Sequence, residues 1–320
     1  MEEKVFKTYD QMLDILKGRG IDLSTRELRG MAKRSLQHEG YYNLINGYKM
    51  LFLEKDSNGR NIYPDQYKPG TTVDEIYYLC FFDKKIRSVF LKNILQIETN
   101  IKNLIAYSFS ERYGHDNYLK YGNFDTTQRD AAKNISNLIA EIQKQISSRS
   151  SDPSIRHYLT THGYIPLWVL NGILTLGTIS KFYSLMKQPE RQEIAKIFDL
   201  QENELTSILT FLSSVRNICA HSNRLYCFRT RRPLVDMKLH VELNIPKING
   251  NEFEYGKRDL FAIMIIFKLM LSRNEFRIVI KQLNNELRTL SAKLKVLSEE
   301  DVLSCMGFPQ DWRNKLLSLK

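Results

Sequence analysis

The chain has 320 residues, with 47 Lys and Arg against 36 Asp and Glu, a formal charge of +11 and an isoelectric point near 9.3. Hydrophobic residues make up 42% and aromatics 11%, enough to bury a core, which excludes a disordered basic tail; the length suits one large domain or two ordinary ones. The basic excess points to nucleic acid or an anionic surface as partner and is silent about fold.

Helical periodicity runs through most of the chain. Residues 8–20 place Met12, Leu13, Ile15 and Leu16 on one stripe and stop at Gly18 and Gly20. Residues 24–39 open on Ser24 with Glu27 three positions on, a capping-box pattern. A Tyr-rich segment covers Gly40–Leu53, and residues 54–71, rich in Asp, Asn, Gly and Pro, read as a loop. Thr72 to about Tyr113 holds no Gly or Pro, has apolar residues at helical spacing and meets Gly114, so it reads as one long helix. Another amphipathic helix is expected over 126–147, followed by a polar link through Pro166. Helices follow at Leu167–Met186, Glu190–Phe198 and Asn203–His221. Residues 229–256 read as a loop with a small hairpin turning at Asn249-Gly250, 257–297 as helix, and Leu297–Lys320 as a short cap. The expected organisation is a helical N-terminal region (1–71), a helical core (72–297) and the cap (298–320), all-α apart from the hairpin.

Several function classes lack their anchors. The start, MEEKVFKTYD, has no apolar secretory core. The most apolar stretch, Leu260 to Leu271, is interrupted by Lys268 and is too short to span a bilayer. Cys80, Cys219, Cys227 and Cys305 form no zinc-type pair, so no metal or cofactor is expected and a reducing cytoplasm is the expected compartment. Neither a phosphate-binding GxxxxGK[ST] loop nor GxGxxG nor HExxH occurs.

The chemistry concentrates in Phe211–Tyr226, FLSSVRNICAHSNRLY. On a helical wheel at ~100° per residue, Ile208, Phe211, Leu212, Val215, Ile218 and Cys219 share an apolar arc, so Cys219 reads as a core thiol. The opposite arc carries Arg216, Asn217 and His221 around small Ser213 and Ala220, a floor on which a second helix or a phosphate fits. Metal-free RNA cleavage needs a base near neutral pH to activate the 2′-OH, which histidine supplies. It also needs a fork of donors for the charged phosphorane, which arginine supplies. The spacing alone fits a structural or surface helix better than a catalytic one.

Arg216-Asn217-Ile218-Cys219-Ala220-His221 matches the R-x4-6-H motif of HEPN ribonucleases, and the longer RNICAHSNRLY resembles the Abi-like group of abortive infection proteins (the AbiD/AbiF type). Three further segments carry the same resemblance. They are Arg19-Gly20-Ile21 with Tyr41-Tyr42-Asn43-Leu44-Ile45-Asn46-Gly47-Tyr48, then Pro166-Leu167-Trp168 with Leu176-Gly177, and Met306-Gly307-Phe308-Pro309 with Trp312. The resemblance thus runs from about residue 8 to 315. It implies an all-α HEPN core like that of type VI CRISPR ribonucleases and a phage-defence role. It further implies metal-independent endoribonuclease chemistry by Arg216 and His221 with Asn217 beside them, at a composite site in a homodimer. Some members of the group bind a small noncoding RNA. The departure is Asn223, where many relatives carry an extra residue or a second His.

Other residues stay open at this level. Glu98, which the resemblance places on the first core helix, either orients Arg216 or His221 or is a solvated charge. Arg224, Arg229, Arg231 and Arg232 lie in a segment, 211–240, with six basic residues against one acid, Asp236, and suit RNA phosphates or a basic surface loop. Lys281, Arg288, Lys293 and Lys295 lie in a second such segment, 268–296, with seven basic residues against two acids. Tyr41, Tyr42 and Tyr48 fit a core better than a stacking platform. The expected function is an endoribonuclease in phage defence; the alternatives are a non-catalytic RNA-binding module and a basic protein docking an acidic partner.

Overall fold

The structure, a computed structural model, describes residues 5–248 and 250–319. Its axis is α3, Val73–Tyr113, a helix of 41 residues and so roughly 60 Å long. Thr72 caps it, accepting from Glu75 N, and Gly114 ends it at a φ of 85°. Ile76, Leu79, Phe82, Ile86, Phe90, Ile94, Ile97, Ile101, Ile105 and Phe109 are buried along its length, at the three-and-four spacing of one helical face. The rest of the chain wraps this rod. On it pack α2 (Arg26–Glu39), α6 (Leu167–Leu170), α7 (Leu176–Leu185), α8 (Gln188–Lys196), α9 (Glu202–Ala220) and α12 (Arg273–Ser291). α1 (Tyr9–Gly18) packs on α2, and α4 (Ala131–Ser148) on α7. α11 (Leu260–Met270) is buried without interruption from Leu260 to Phe267. Among the described residues no helix is long and apolar enough to cross a membrane.

Six expectations are corrected. The helix expected over Leu167–Met186 is two, α6 and α7, parted by a turn over residues 171–175. The cap of α2 is Thr25, whose hydroxyl accepts from Leu28 N; Ser24 N instead bonds the Asp22 carboxylate. α4 starts five residues late because the Asp125 carboxylate holds a turn with Thr127 and Gln128 ahead of it. The polar link contains α5 (Pro153–His162), with Asp152 capping and Pro153 in the first turn, where its missing N–H costs nothing. The loop after residue 229 contains a short helix, α10 (Lys238–Glu242), before a two-stranded hairpin, β1 (Lys247–Ile248) and β2 (Glu252–Phe253). Of the expected turn, Asn249 lies outside the described residues. The C-terminal cap is two helices, α13 (Glu299–Met306) and α14 (Trp312–Ser318).

Buried charges tie these layers to the axis. Glu75 on α3 accepts from the backbone N–H groups of Lys295, Val296 and Leu297 at 2.9, 2.8 and 3.2 Å, which pins the chain just after α12. Asp259 caps α11 by accepting from Ala262 N, and both its oxygens take Gly256 N. Gly307, at a φ of 81°, packs against it so closely that a Cβ there would lie 2.5 Å from the Asp259 side chain. Both the left-handed backbone and the contact therefore require glycine in the Met306–Pro309 segment.

Burial pushes the Asp259 carboxyl up to about 6 from an ordinary 3.8, against its backbone hydrogen bonds. The folded chain therefore holds this proton more tightly than the unfolded chain does. The contribution is fully present below about pH 4 and is lost as pH rises through 6. Urea unfolding at pH 4.5 and pH 7 should show the parent losing roughly 2 kcal/mol across this window relative to Asp259→Asn. A parent-minus-variant difference that does not change with pH would refute the assignment.

Candidate functional site

α9 presents the motif as the wheel anticipates. Ile208, Phe211, Leu212, Val215 and Cys219 are buried, and Ile218 is half-buried against the core. Burial pushes the Cys219 thiol up to about 12, in keeping with a core thiol. Asn217, Ala220 and His221 are exposed and Arg216 half-buried. The small-residue floor is only partly open. Gly177 at the start of α7 comes so near Ser213 that a Cβ would lie 3.2 Å from its Oγ. Ser213 is thus covered by a helix of the same chain, while Ala220 stays clear.

His221 is the residue on which α9 ends. Its N–H still bonds the Asn217 carbonyl, and the chain then turns left-handed at Ser222, with a φ of 57°. Asn223 N returns to the Ile218 carbonyl at 3.1 Å, the long bond of a Schellman closure made without its usual glycine. Partners on α3 hold this turn. Arg87 Nη1 donates to the carbonyls of Ser222 (2.9 Å) and Asn223 (2.8 Å) and to Asp83 Oδ2 (3.2 Å). Asp83, fully buried, accepts from Leu225 N and Tyr226 N at 3.0 and 2.7 Å and from the Tyr48 hydroxyl at 2.9 Å. Burial pushes its carboxyl upward, with Arg87 and these donors opposing. Tyr48 in turn stacks on Tyr226, ring centroids 5.4 Å apart.

The Tyr-rich segment therefore meets the motif. It forms a π turn over Tyr42–Asn46 and a tight 3-10 turn over Lys49–Phe52. Arg224 donates to the carbonyls of Asn46 and Gly47 at 3.2 and 2.9 Å, and Gly47 has only hydrogen where a Cβ would lie 3.6 Å from the Arg224 stem. Tyr48 is buried and Tyr41 half-buried, as a core role predicts, whereas Tyr42 is 78% exposed. Between this segment, α3 and the end of α9 lies a cleft of about 810 Å³, whose lining includes Tyr42, Asn43, Asn46, Lys84, His221 and Arg224.

Arg216 does not line that cleft. It leans to Glu98 on α3, with its Nε 4.0 Å from Glu98 Oε2. Both of these atoms are buried and lack a hydrogen-bond partner among the described residues. The other Glu98 oxygen takes Lys102 Nζ at 2.7 Å. Glu98 is thus an interior, paired carboxylate and not a solvated one, as burial of a charge requires. A third of the Arg216 side chain stays exposed beyond it.

The remaining basic residues spread out. Arg229 lines a second cavity with Tyr255, Asp259 and Phe308 and bonds the Phe228 carbonyl. Arg231 and Arg232 are exposed on the loop that follows. Lys281 and Arg288 are exposed on α12, outside the His221 cleft. His240 is fully buried, with Met237 N and the Gly256 carbonyl at its two ring nitrogens. The groups that sequence reading missed are Asp83, Arg87 and Lys102.

Comparison with known proteins gives one family: the model described as Abi-like protein matches residues 34–227. The match takes in the Tyr-rich segment, α3 and the whole motif helix, and leaves out Arg19-Gly20-Ile21 and Met306–Trp312. No curated protein and no solved structure matches.

Proposed function

We propose that this chain, which belongs to the Abi-like protein family, is a HEPN-type endoribonuclease that cuts RNA without a metal. Family membership implies abortive-infection phage defence; RNA cleavage is the reading added to it. The observation that carries it is the presentation of α9: an exposed His221 at its end, and on the same helix a half-exposed Arg216 whose guanidinium stands 4.0 Å from a buried carboxylate.

In this reading the 2′-oxygen attacks the adjacent phosphorus as His221 takes its proton. Arg216, aimed by Glu98, offers its outer N–H groups to the non-bridging oxygens as charge builds there. The bond from phosphorus to the 5′-oxygen breaks, leaving a 2′,3′-cyclic phosphate and, once protonated, a 5′-hydroxyl. One chain brings only one motif histidine, so a homodimer with facing α9 helices supplies the second as acid. Asn217, exposed on the same face, orients the phosphate or the imidazole.

A second reading, binding of RNA without cutting, is favoured by one observation: within one chain His221 opens onto a cleft that Arg216 does not line. The ends of the product decide between them. The purified chain in EDTA should convert RNA to fragments with cyclic phosphate and 5′-hydroxyl ends, and should leave a strand with a 2′-deoxy residue at the cut position intact. Loss of cutting on chelation, or cutting at the deoxy position, would rule out this chemistry.

A further inference from the structure

The cleft at His221 holds more machinery than the proposed chemistry uses. Tyr42 stands on its lining with 78% of its surface in solvent, while its neighbours Tyr41 and Tyr48 face the core. Asn43 and Asn46 line the same cleft from the same turn. Among the described residues, the Asn46 backbone carbonyl is bonded by Arg224, but neither side-chain amide is engaged. Arg224 spends one nitrogen on the turn and leaves the rest of an exposed side chain free. Lys84 also lies on the lining, with its charge met by the Glu39 carboxylate that lines the cleft beside it. The volume of about 810 Å³ falls within the ~300–1,000 Å³ of ordinary ligand clefts.

We propose that this cleft binds one unpaired nucleotide of an RNA strand, beside the phosphate that His221 addresses. Tyr42 stacks on the base, Asn43 and Asn46 bond its edge with an amide's paired donor and acceptor, and Arg224 meets the backbone phosphate. A base inside a duplex has both faces stacked and its edge paired, so it can use neither the ring nor the amides. The substrate class is therefore single-stranded RNA. The link to the scissile phosphate rests on the nuclease reading; binding in the cleft does not.

The test is fluorescence anisotropy on the full chain, with a short fluorescein-labelled RNA carrying 2′-O-methyl groups throughout so that it cannot be cut. The same strand annealed to its complement is the comparison. Tyr42→Ala should weaken single-strand binding roughly 5- to 100-fold, leave duplex binding unchanged, and keep the parent's circular dichroism because the ring is exposed. Tyr42→Trp should restore the parent's affinity, and Asn46→Ala should weaken single-strand binding without touching the duplex. Equal single-strand affinity in parent and Tyr42→Ala overturns the proposal, as does equal weakening for both forms of RNA. So does an adenosine monophosphate affinity matching the strand's, which would mark a free-nucleotide site, or no single-strand binding by the parent, which would leave the cleft to another kind of occupant. If Tyr42→Ala loses the strand while His221→Ala still cuts, the cleft stands and the nuclease assignment falls. If His221→Ala is inactive and Tyr42→Ala binds normally, the reverse holds.

Discussion

Alanine at His221 should reduce RNA cleavage about 100- to 10,000-fold, the range that a positioned proton-transfer group supplies. Arg216→Ala should cost about 100- to 1,000-fold, the scale for removing one donor aimed at developing negative charge. Both side chains reach solvent and neither belongs to the apolar core. His221→Ala should therefore keep its fold and its RNA affinity. Arg216→Ala leaves Glu98 with Lys102 alone, so its unfolding midpoint belongs beside its rate. Single-turnover cleavage and urea unfolding on the same preparations separate chemistry from folding. Cleavage at the parent's rate in both variants would sink the active-site assignment.

Asp83→Ala is expected to be the most damaging single change to stability. It removes the acceptor of two backbone N–H groups and a tyrosine hydroxyl, and strips the buried Arg87 of its counter-charge. Breaking a buried pair from one side costs about 3–5 kcal/mol, because the remaining charge stays inside without compensation. The loss should appear as an earlier urea midpoint. It should be accompanied by slower cleavage, because the turn that sets His221 is released from α3. A stability loss below about 1 kcal/mol would show that the pair is not what holds the turn.

Much of this fold could be read from residue order. The length of α3 follows from a stretch without Gly or Pro between Thr72 and Gly114. The orientation of α9 follows from its wheel, because apolar side chains fill one arc and short or polar ones the other. Elsewhere local signals competed. Ser24 and Thr25 are both able to cap, and geometry selected the second. α5 sits in a polar stretch with only one fully buried residue, Ile155, so periodicity was faint, although Asp152-Pro153 is a helix-start pair. Tyr41 and Tyr42 are neighbours in one turn and so point about 100° apart, which lets only one of them face the core; Tyr42 is the one in solvent.

The clamp on the motif turn lies 135 residues from it in the chain, beyond any local pattern. A weaker trace was present in the sequence: Asp83 and Arg87 each follow a buried residue of the α3 stripe, Phe82 and Ile86. Two charges in step with a buried stripe are costly unless they meet partners there. Glu98 and Lys102 repeat that four-residue spacing, also in step with Ile97 and Ile101.

These two anchors give α3 a role beyond that of a core helix. Arg87 fixes the turn carrying His221, and Glu98 lies 4.0 Å from Arg216. They are separated by eleven residues, close to three full turns and about 16 Å, so they emerge on nearly the same side of the rod. The helix thus serves as a ruler that spaces two parts of the candidate site contributed by another element. Exchanging its outward residues, such as Lys92 or Gln96, leaves the measure unchanged. Adding or deleting a single residue between the anchors swings one of them about 100° from the other. In that interval the site depends on the count of residues more than on their identity.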